Sequence, residues 1–235
     1  MKISVVITYY NQPEVLKWCL GYVCNWFGDT LKNTEVIIVD DGSKIHPAFP
    51  VVRGIERQFF KTHWFQIYRV IPDIPWNQCG ARNLGASVAK YEWLLMLDVD
   101  HILNLYNMGD LLNNTRQTKI KRWFTFVRRN YHTGHLLHPA KNIFLMTKRD
   151  YNRIGGYDED LTGEYMQDRL FIHQAQKLLG MPVVHPKVDI AVKVDGGARG
   201  LCRKSERNLQ LTADKISGRI PISKDRIRFE WEKQI

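Results

Sequence analysis

Trp93-Leu94-Leu95-Met96-Leu97-Asp98-Val99-Asp100 is the stretch on which the reading of this chain turns. Its five leading apolar residues predict a strand buried on both faces, as in a sheet covered by helices. The run ends in two carboxylates one residue apart. Residues i and i+2 of a strand share a face, so extended geometry would set Asp98 and Asp100 side by side. Two hard oxygen ligands at the carboxyl end of a buried strand suit a divalent cation facing phosphate oxygens. The competing reading has Asp98 capping the next helix and Asp100 solvated in a loop, and this window alone weighs the two evenly.

Outward from this strand, the first half of the chain alternates strand and helix patterns, which predicts a mostly parallel α/β sheet flanked by helices. Residues 3–8, 35–39 and 65–70 read as strands. Pro13 can open a helix with Val15, Leu16, Cys19, Leu20, Val23 and Phe27 on one stripe. A helix is expected at residues 55–61, and another at 80–90, where Ala81, Gly85, Ala86 and Ala89 permit close approach to a neighbour. The second half is less regular. It predicts helices at 103–115, 148–154 and 164–179, and strands at 122–127, 142–146, 183–185 and 190–194. From Arg203 the pattern is helical to about Lys215. No internal repeat or low-complexity linker interrupts the chain.

Composition narrows the partners. A chain of 235 residues suits one domain with an appendage. The net charge of +10, with basic residues recurring at 119–129 and 199–228, fits nucleic acid, an anionic membrane surface or a phosphorylated substrate. A generally basic solvated surface explains it equally well. No nucleic-acid-binding motif is present, so that partner is not expected. The apolar runs fall far short of the roughly 20 residues of a membrane span. Residues 1–8 begin directly in a strand pattern without a leader signature, which sets the expectation of a cytoplasmic protein with at most peripheral membrane contact. Cys19, Cys24, Cys79 and Cys202 are scattered and are expected as reduced thiols.

Three strands end in polar residues suited to a ligand: Thr8-Tyr9-Tyr10-Asn11, Asp40-Asp41-Gly42-Ser43 and Asp98-Val99-Asp100. Ligands of open α/β sheets sit outside the carboxyl ends of the strands at a topological switch point. Neither a Gly-x-Gly-x-x-Gly fingerprint nor a P-loop accompanies them, so a metal would have to neutralise any phosphate.

With these motifs in their order, the chain resembles the inverting family 2 glycosyltransferases of GT-A fold over roughly residues 3–180. The motifs are Val5-Val6-Ile7-Thr8-Tyr9-Tyr10-Asn11-Gln12, Val36-Ile37-Ile38-Val39-Asp40-Asp41-Gly42-Ser43, Gly80-Ala81-Arg82-Asn83-Leu84-Gly85-Ala86, Asp98-Val99-Asp100 and Ile154-Gly155-Gly156-Tyr157-Asp158-Glu159. The resemblance implies a GT-A domain at 1–200, with a nucleotide-sugar half to about 102 and an acceptor half from 103, then a C-terminal helical extension at 201–235. It implies a metal-dependent inverting enzyme using a nucleotide-diphosphate sugar. Thr8, Tyr10, Asp41, Arg82 and Asp98 would bind the donor, with Asp41 on the base and Asp98 on the ribose and diphosphate side. Asp100, with Asp98, would hold Mn²⁺ or Mg²⁺. Asp168 would be the general base; Gln167 stands where the family often has Glu. Gly155, Gly156 and Gln167 would lie on the acceptor side.

The chemistry requires such residues. A cation stabilises the leaving diphosphate as its charge develops, and a carboxylate takes the proton of the attacking hydroxyl. The third metal ligand is left open among His101, His185 and Asp195, and the acceptor among glycan, lipid or another hydroxyl. Arg199, Arg203 and Lys204 could close over the diphosphate or merely solvate the tail. His132, His135 and His138 invite a zinc reading, but no fourth ligand accompanies them. The alternatives are a sugar nucleotidyltransferase, although residues 8–12 lack the glycine-rich phosphate loop, and a non-catalytic nucleotide-sugar-binding domain.

Overall fold

The computed structural model describes residues 2–26, 29–55, 65–117, 123–140, 142–193 and 203–235. Outside these lie Phe27, nearly all of the expected helix at 55–61, the basic residues Lys119, Lys121 and Arg122, and Val194, Asp195, Arg199 and Cys202. Among the described residues no helix is long and apolar enough to cross a membrane.

A mixed sheet organises the chain. Strands β1 (Ile3–Tyr9), β2 (Thr34–Asp40), β3 (Phe65–Val70) and β4 (Trp93–Asp98) lie in the order β3-β2-β1-β4, all parallel. The register pairs Thr8 with both Val39 and Asp98, so the polar ends of three strands emerge together. Chain order reverses at β1, with β2 on one side and β4 on the other, which opens the crevice where such sheets bind ligands.

Beyond β4 the pairing turns mixed. β8 (Phe144–Thr147) runs antiparallel to β4, then come β6 (Phe124–Asn130), β9 (Val183–Val192) and β5 (His101–Ile102), with β7 (Leu136–Leu137) on β6. The two expected short strands at 183–185 and 190–194 are one strand, β9, whose register on β6 shifts between Thr125 and Val127. A bulge of this kind hides the period-2 pattern from the sequence.

Helices cover both faces. α1 (Pro13–Val23), α2 (Asp29–Lys32), α3 (Ala48–Arg53) and α5 (Leu105–Gln117) accompany α4 (Gln78–Val88), α6 (Lys148–Ile154), α7 (Asp168–Leu179) and α8 (Glu206–Ile216). Ile3, Val5 and Ile7 feed one buried layer and Val6 the other, the alternation of a strand buried on both sides. α3 was not expected. Pro47 precedes it as the N-cap and Pro50 falls in its first turn, where an amide N–H has no helical partner, and Asp40 Oδ2 accepts from Ala48 N at 2.7 Å.

α7 starts at Asp168, four residues later than expected. The buried Gln167 amide accounts for this: it donates to the carbonyls of Trp76, Leu161 (3.1 Å) and Glu164 (3.2 Å) and accepts from Cys79 N at 3.1 Å. Residues 162–167 therefore wrap around a side chain, with Met166 at φ +73°, instead of winding into a helical turn. The last segment returns to the sheet: β10 (Trp231–Lys233) pairs antiparallel with β3 at its edge.

α4 lies close on the sheet because Gly85 faces it. A Cβ at Gly85 would sit 2.3 Å from Val6 Cγ1. Gly85→Ala is therefore expected to overpack the interface and destabilise the fold by about 1–3 kcal/mol, measured by urea denaturation. An unchanged midpoint would contradict this packing.

Candidate active site

The ends of β1 and β2 are tied to each other before they meet any ligand. Asn11, in the left-handed region at φ +47°, donates its N–H to Ser43 Oγ at 2.9 Å, and its Oδ1 accepts from His46 N at 2.9 Å. Asp40 is consumed structurally, taking Ser43 N at 2.9 Å and Ala48 N at 2.7 Å. Gly42 is required: at φ +75° a Cβ there would meet the Pro72 carbonyl at 2.5 Å. That close approach brings Asp73 into the site, where its Oδ1 accepts from the Tyr10 hydroxyl at 3.1 Å. Asp41 is buried and accepts from Asn77 Nδ2 at 2.9 Å. Burial pushes its carboxyl up to about 8, against the Asn77 bond, which favours the anion.

A cleft of about 850 Å³ runs along these strand ends. Thr8, Tyr10, Asp41, Asp98, Asp100 and Asp168 all line it, so one cavity gathers most of the expected site. Asp98 is held by three side chains: Gln78 Nε2 at 2.9 Å and Arg82 Nη2 at 2.5 Å donate to Oδ1, and Asn142 Nδ2 donates to Oδ2. That leaves this carboxylate one acceptor position, on Oδ2.

β4 ends at Asp98, so strand geometry does not carry through to Asp100; a turn intervenes before β5. The two acids still converge. Asp98, Asp100 and His101 each offer a ligand atom, all within 4.8 Å of one another. Asp100 Oδ1 lies 2.5 Å from His101 Nδ1, and His101 Nε2 is buried without a partner. Burial alone would raise the Asp100 carboxyl, but the His101 ring, with the Arg128 charge, holds it below the usual range. Two carboxylates and an imidazole suit a divalent cation, so the residues present fit a metal. His185 is buried elsewhere, its ring stacked on Phe126 at 6.0 Å, and is not part of this group. Nor do His132, His135 and His138 gather: among the described residues the one triad able to hold a metal is Asp98, Asp100 and His101.

Asp168 begins α7, and its charge partner is neither Arg169 nor Lys177. Arg82 Nη1 of α4 reaches Asp168 Oδ1 at 3.4 Å, and the Tyr157 hydroxyl lies 3.2 Å from the same oxygen. Burial raises the Asp168 carboxyl, while the Arg82 charge opposes the rise. Arg82, expected as a donor contact, lies beneath the carboxylates; it reaches the cleft only through Asp98 and Asp168.

The acceptor-side expectation is placed differently. Gly155 and Gly156 line a second cavity of about 620 Å³ with Arg226, whose Nε donates to Gly155 O at 2.5 Å. Gln167 is buried in its loop and does not line the cleft. Conversely, Gln78, Arg128 and Asn142 line it unforeseen. They come from a helix start, a strand and a pre-strand loop, and no local pattern marks them. Arg203 and Lys204 line the cleft as well.

The family model described as "Glycosyl transferase family 2" matches residues 4–166. A chondroitin synthase of Escherichia coli is 35% identical over 98 residues, which are 42% of this chain and 13% of that protein. A hyaluronan synthase of Pasteurella multocida is 31% identical over 98 residues, 42% of this chain and 9% of that protein. The chain thus spans only a small part of the length of these relatives. Among solved structures, S. aureus TarS 1-349 in complex with UDP-GlcNAc superposes with a TM-score of 0.74 at 16% identity, over 95% of this chain and 68% of that one. At that identity the likeness is one of fold.

The raised Asp41 carboxyl has a signed consequence. Its folded pKa lies above the unfolded value near 3.9, so the native state binds the proton more tightly and stability falls as pH rises from about 4 to 8. Asp41→Asn cannot titrate. Its melting-temperature advantage over the parent should grow from pH 5 to pH 8 and then level off. A constant difference across that range would show that Asp41 is not held protonated.

Proposed function

The chain belongs to glycosyl transferase family 2, and we propose that it moves a sugar from a nucleoside diphosphate donor to an acceptor hydroxyl with inversion at the anomeric carbon. One observation carries this reading. Asp168 and the Asp98–Asp100–His101 group face a single cleft, joined from beneath by the Arg82 guanidinium. An acid that can take a proton thus stands beside a site that can hold a diphosphate.

The donor's nucleoside lies at the β1–β2 end, between Thr8, Tyr10, Asp41 and Asp73. Asp100 and His101 would hold Mn²⁺ or Mg²⁺, with Asp98 contributing its remaining lone pair. When bound, the ion supplies electrostatic stabilisation of the leaving diphosphate. Asp98, fixed by Gln78, Arg82 and Asn142, orients the ribose and diphosphate side. Arg203 and Lys204 add positive charge along the cleft wall. Asp168 takes the proton from the acceptor hydroxyl, which attacks the anomeric carbon from the face opposite the leaving group. Gly155, Gly156 and Gln167 serve the acceptor side indirectly, by shaping the segments that present Tyr157 and Asp168. The acceptor is a glycan, lipid or other hydroxyl compound. TarS binds UDP-GlcNAc in its crystal structure, which makes that compound the first donor to try.

A thermal-shift panel of nucleotide sugars with and without Mn²⁺ tests the donor site. A ligand at 100 times its dissociation constant adds about 2.7 kcal/mol of stability. One nucleotide sugar should stabilise the protein in a metal-dependent way, and Asp100→Ala should abolish the effect. Asp168→Asn should keep that stabilisation but transfer at least about 100-fold more slowly, the range of general-base catalysis. Stabilisation by nucleoside triphosphates alone, or near-normal turnover by Asp168→Asn, would contradict the proposal.

A further inference from the structure

We propose that Tyr157 is a positioning residue for the base: its hydroxyl orients the Asp168 carboxylate and favours its ionised form. The proposal rests on the reading of Asp168 as the proton acceptor.

Local structure delivers this side chain with little freedom. Gly155 and Gly156 both have positive φ, +93° and +67°, which turns the chain out of α6. A Cβ at Gly156 would lie 2.6 Å from Asn83 Oδ1, so only glycine lets the turn seat against α4. Asn83 then fastens Tyr157 at both backbone groups, accepting from its N–H at 2.9 Å and donating to its carbonyl at 2.9 Å. The ring stacks on Phe171 with centroids 4.3 Å apart and planes 3° from parallel. Phe171 lies on α7, the helix that begins with Asp168. The phenol is thus registered against the same helix that carries the base.

Donor and acceptor arithmetic fixes the direction of the hydroxyl. Its oxygen lies 2.5 Å from Arg82 Nη1 and 3.2 Å from Asp168 Oδ1. A guanidinium has donors only, so the hydroxyl accepts from Arg82, and its single proton points to Asp168. Tyr157 is 1% exposed and does not line the cleft, so it acts through Asp168 and not on substrate. Burial raises the phenol well above its ordinary range, so it keeps its proton wherever the enzyme would work. Both side-chain bonds to Asp168 land on Oδ1, which leaves Oδ2 to take the acceptor's proton. The other charged or titratable groups around this carboxyl are Arg82 and Cys79 of α4 and Asp98 of β4, with Glu164, Arg203 and Lys204 along the same cleft.

The test reads the carboxyl directly, by ¹³C NMR of labelled Asp assigned with Asp168→Asn. Tyr157→Phe keeps the ring stack and removes one hydrogen bond to a charged group. Asp168 should then titrate about one pH unit higher. Turnover of UDP-GlcNAc with water as the acceptor, followed by release of UDP, should fall at least about tenfold in kcat with its acid limb moved up, and KM for the donor should be unchanged. Replacing Tyr157 by 3-fluorotyrosine, a stronger donor of nearly the same size, should move the Asp168 titration down. This second variant decides the matter if Tyr157→Phe does not fold. An Asp168 titration that neither variant moves overturns the proposal. Undiminished turnover by Asp168→Asn would instead remove the base assignment on which it rests.

Discussion

Arg82 is 1% exposed, and the candidate reaction centre depends on satisfying its charge. A buried cation without partners costs several kcal/mol, so the chain must bring acceptors to it from distant places. Asp98 comes from the end of β4, Asp168 from the start of α7, the Tyr157 hydroxyl from the turn after α6 and the Asn142 carbonyl from the approach to β8. These four meet nowhere else in the fold. The guanidinium therefore holds in one cleft two carboxylates that would otherwise repel each other. Its fixed fork sets their directions, which a lysine ammonium would not.

The same demand explains why the C-terminal segment is woven into the fold. Asp158 and Glu159 follow Tyr157 and are themselves buried. Lys215 of α8, with its side chain wholly buried, pairs with Asp158 at 2.8 Å and Asp160 at 2.7 Å. Glu159 Oε1 accepts from Asn83 at 2.7 Å and from Ile227 N at 2.7 Å. Breaking one partner of such a buried pair leaves an uncompensated charge. The loop that presents Tyr157 is thus braced from α4 on one side and from the chain's last thirty residues on the other.

Much of this architecture was legible because it is local. The apolar runs of β1, β2 and β4 announce strands buried on both faces, and the small residues of α4 announce a close approach to a neighbour, which is Val6 of β1. The polar ends of those strands mark the ligand crevice, since parallel register brings them out together. What stayed hidden depends on pairs far apart in the chain. Nothing near Asp168 reveals that its partner is Arg82, 86 positions away, and neighbouring Arg169 and Lys177 are the more natural guess. The late start of α7 follows from a Gln167 amide that folds a loop around itself, a contest between side chain and backbone that periodicity cannot show. His101 was one of three candidate ligands until β5 set it against Asp100.

The proposed function requires that donor and base share one cleft. A crystal structure with Mn²⁺ and a non-hydrolysable analogue of the nucleotide sugar that stabilises the protein tests it most directly. The anomalous signal of Mn²⁺ is expected at Asp100 and His101, the diphosphate at the end of β4, and the anomeric carbon exposed to Asp168 on the face away from the leaving group. A nucleotide bound elsewhere, or a sugar turned away from Asp168, would contradict it.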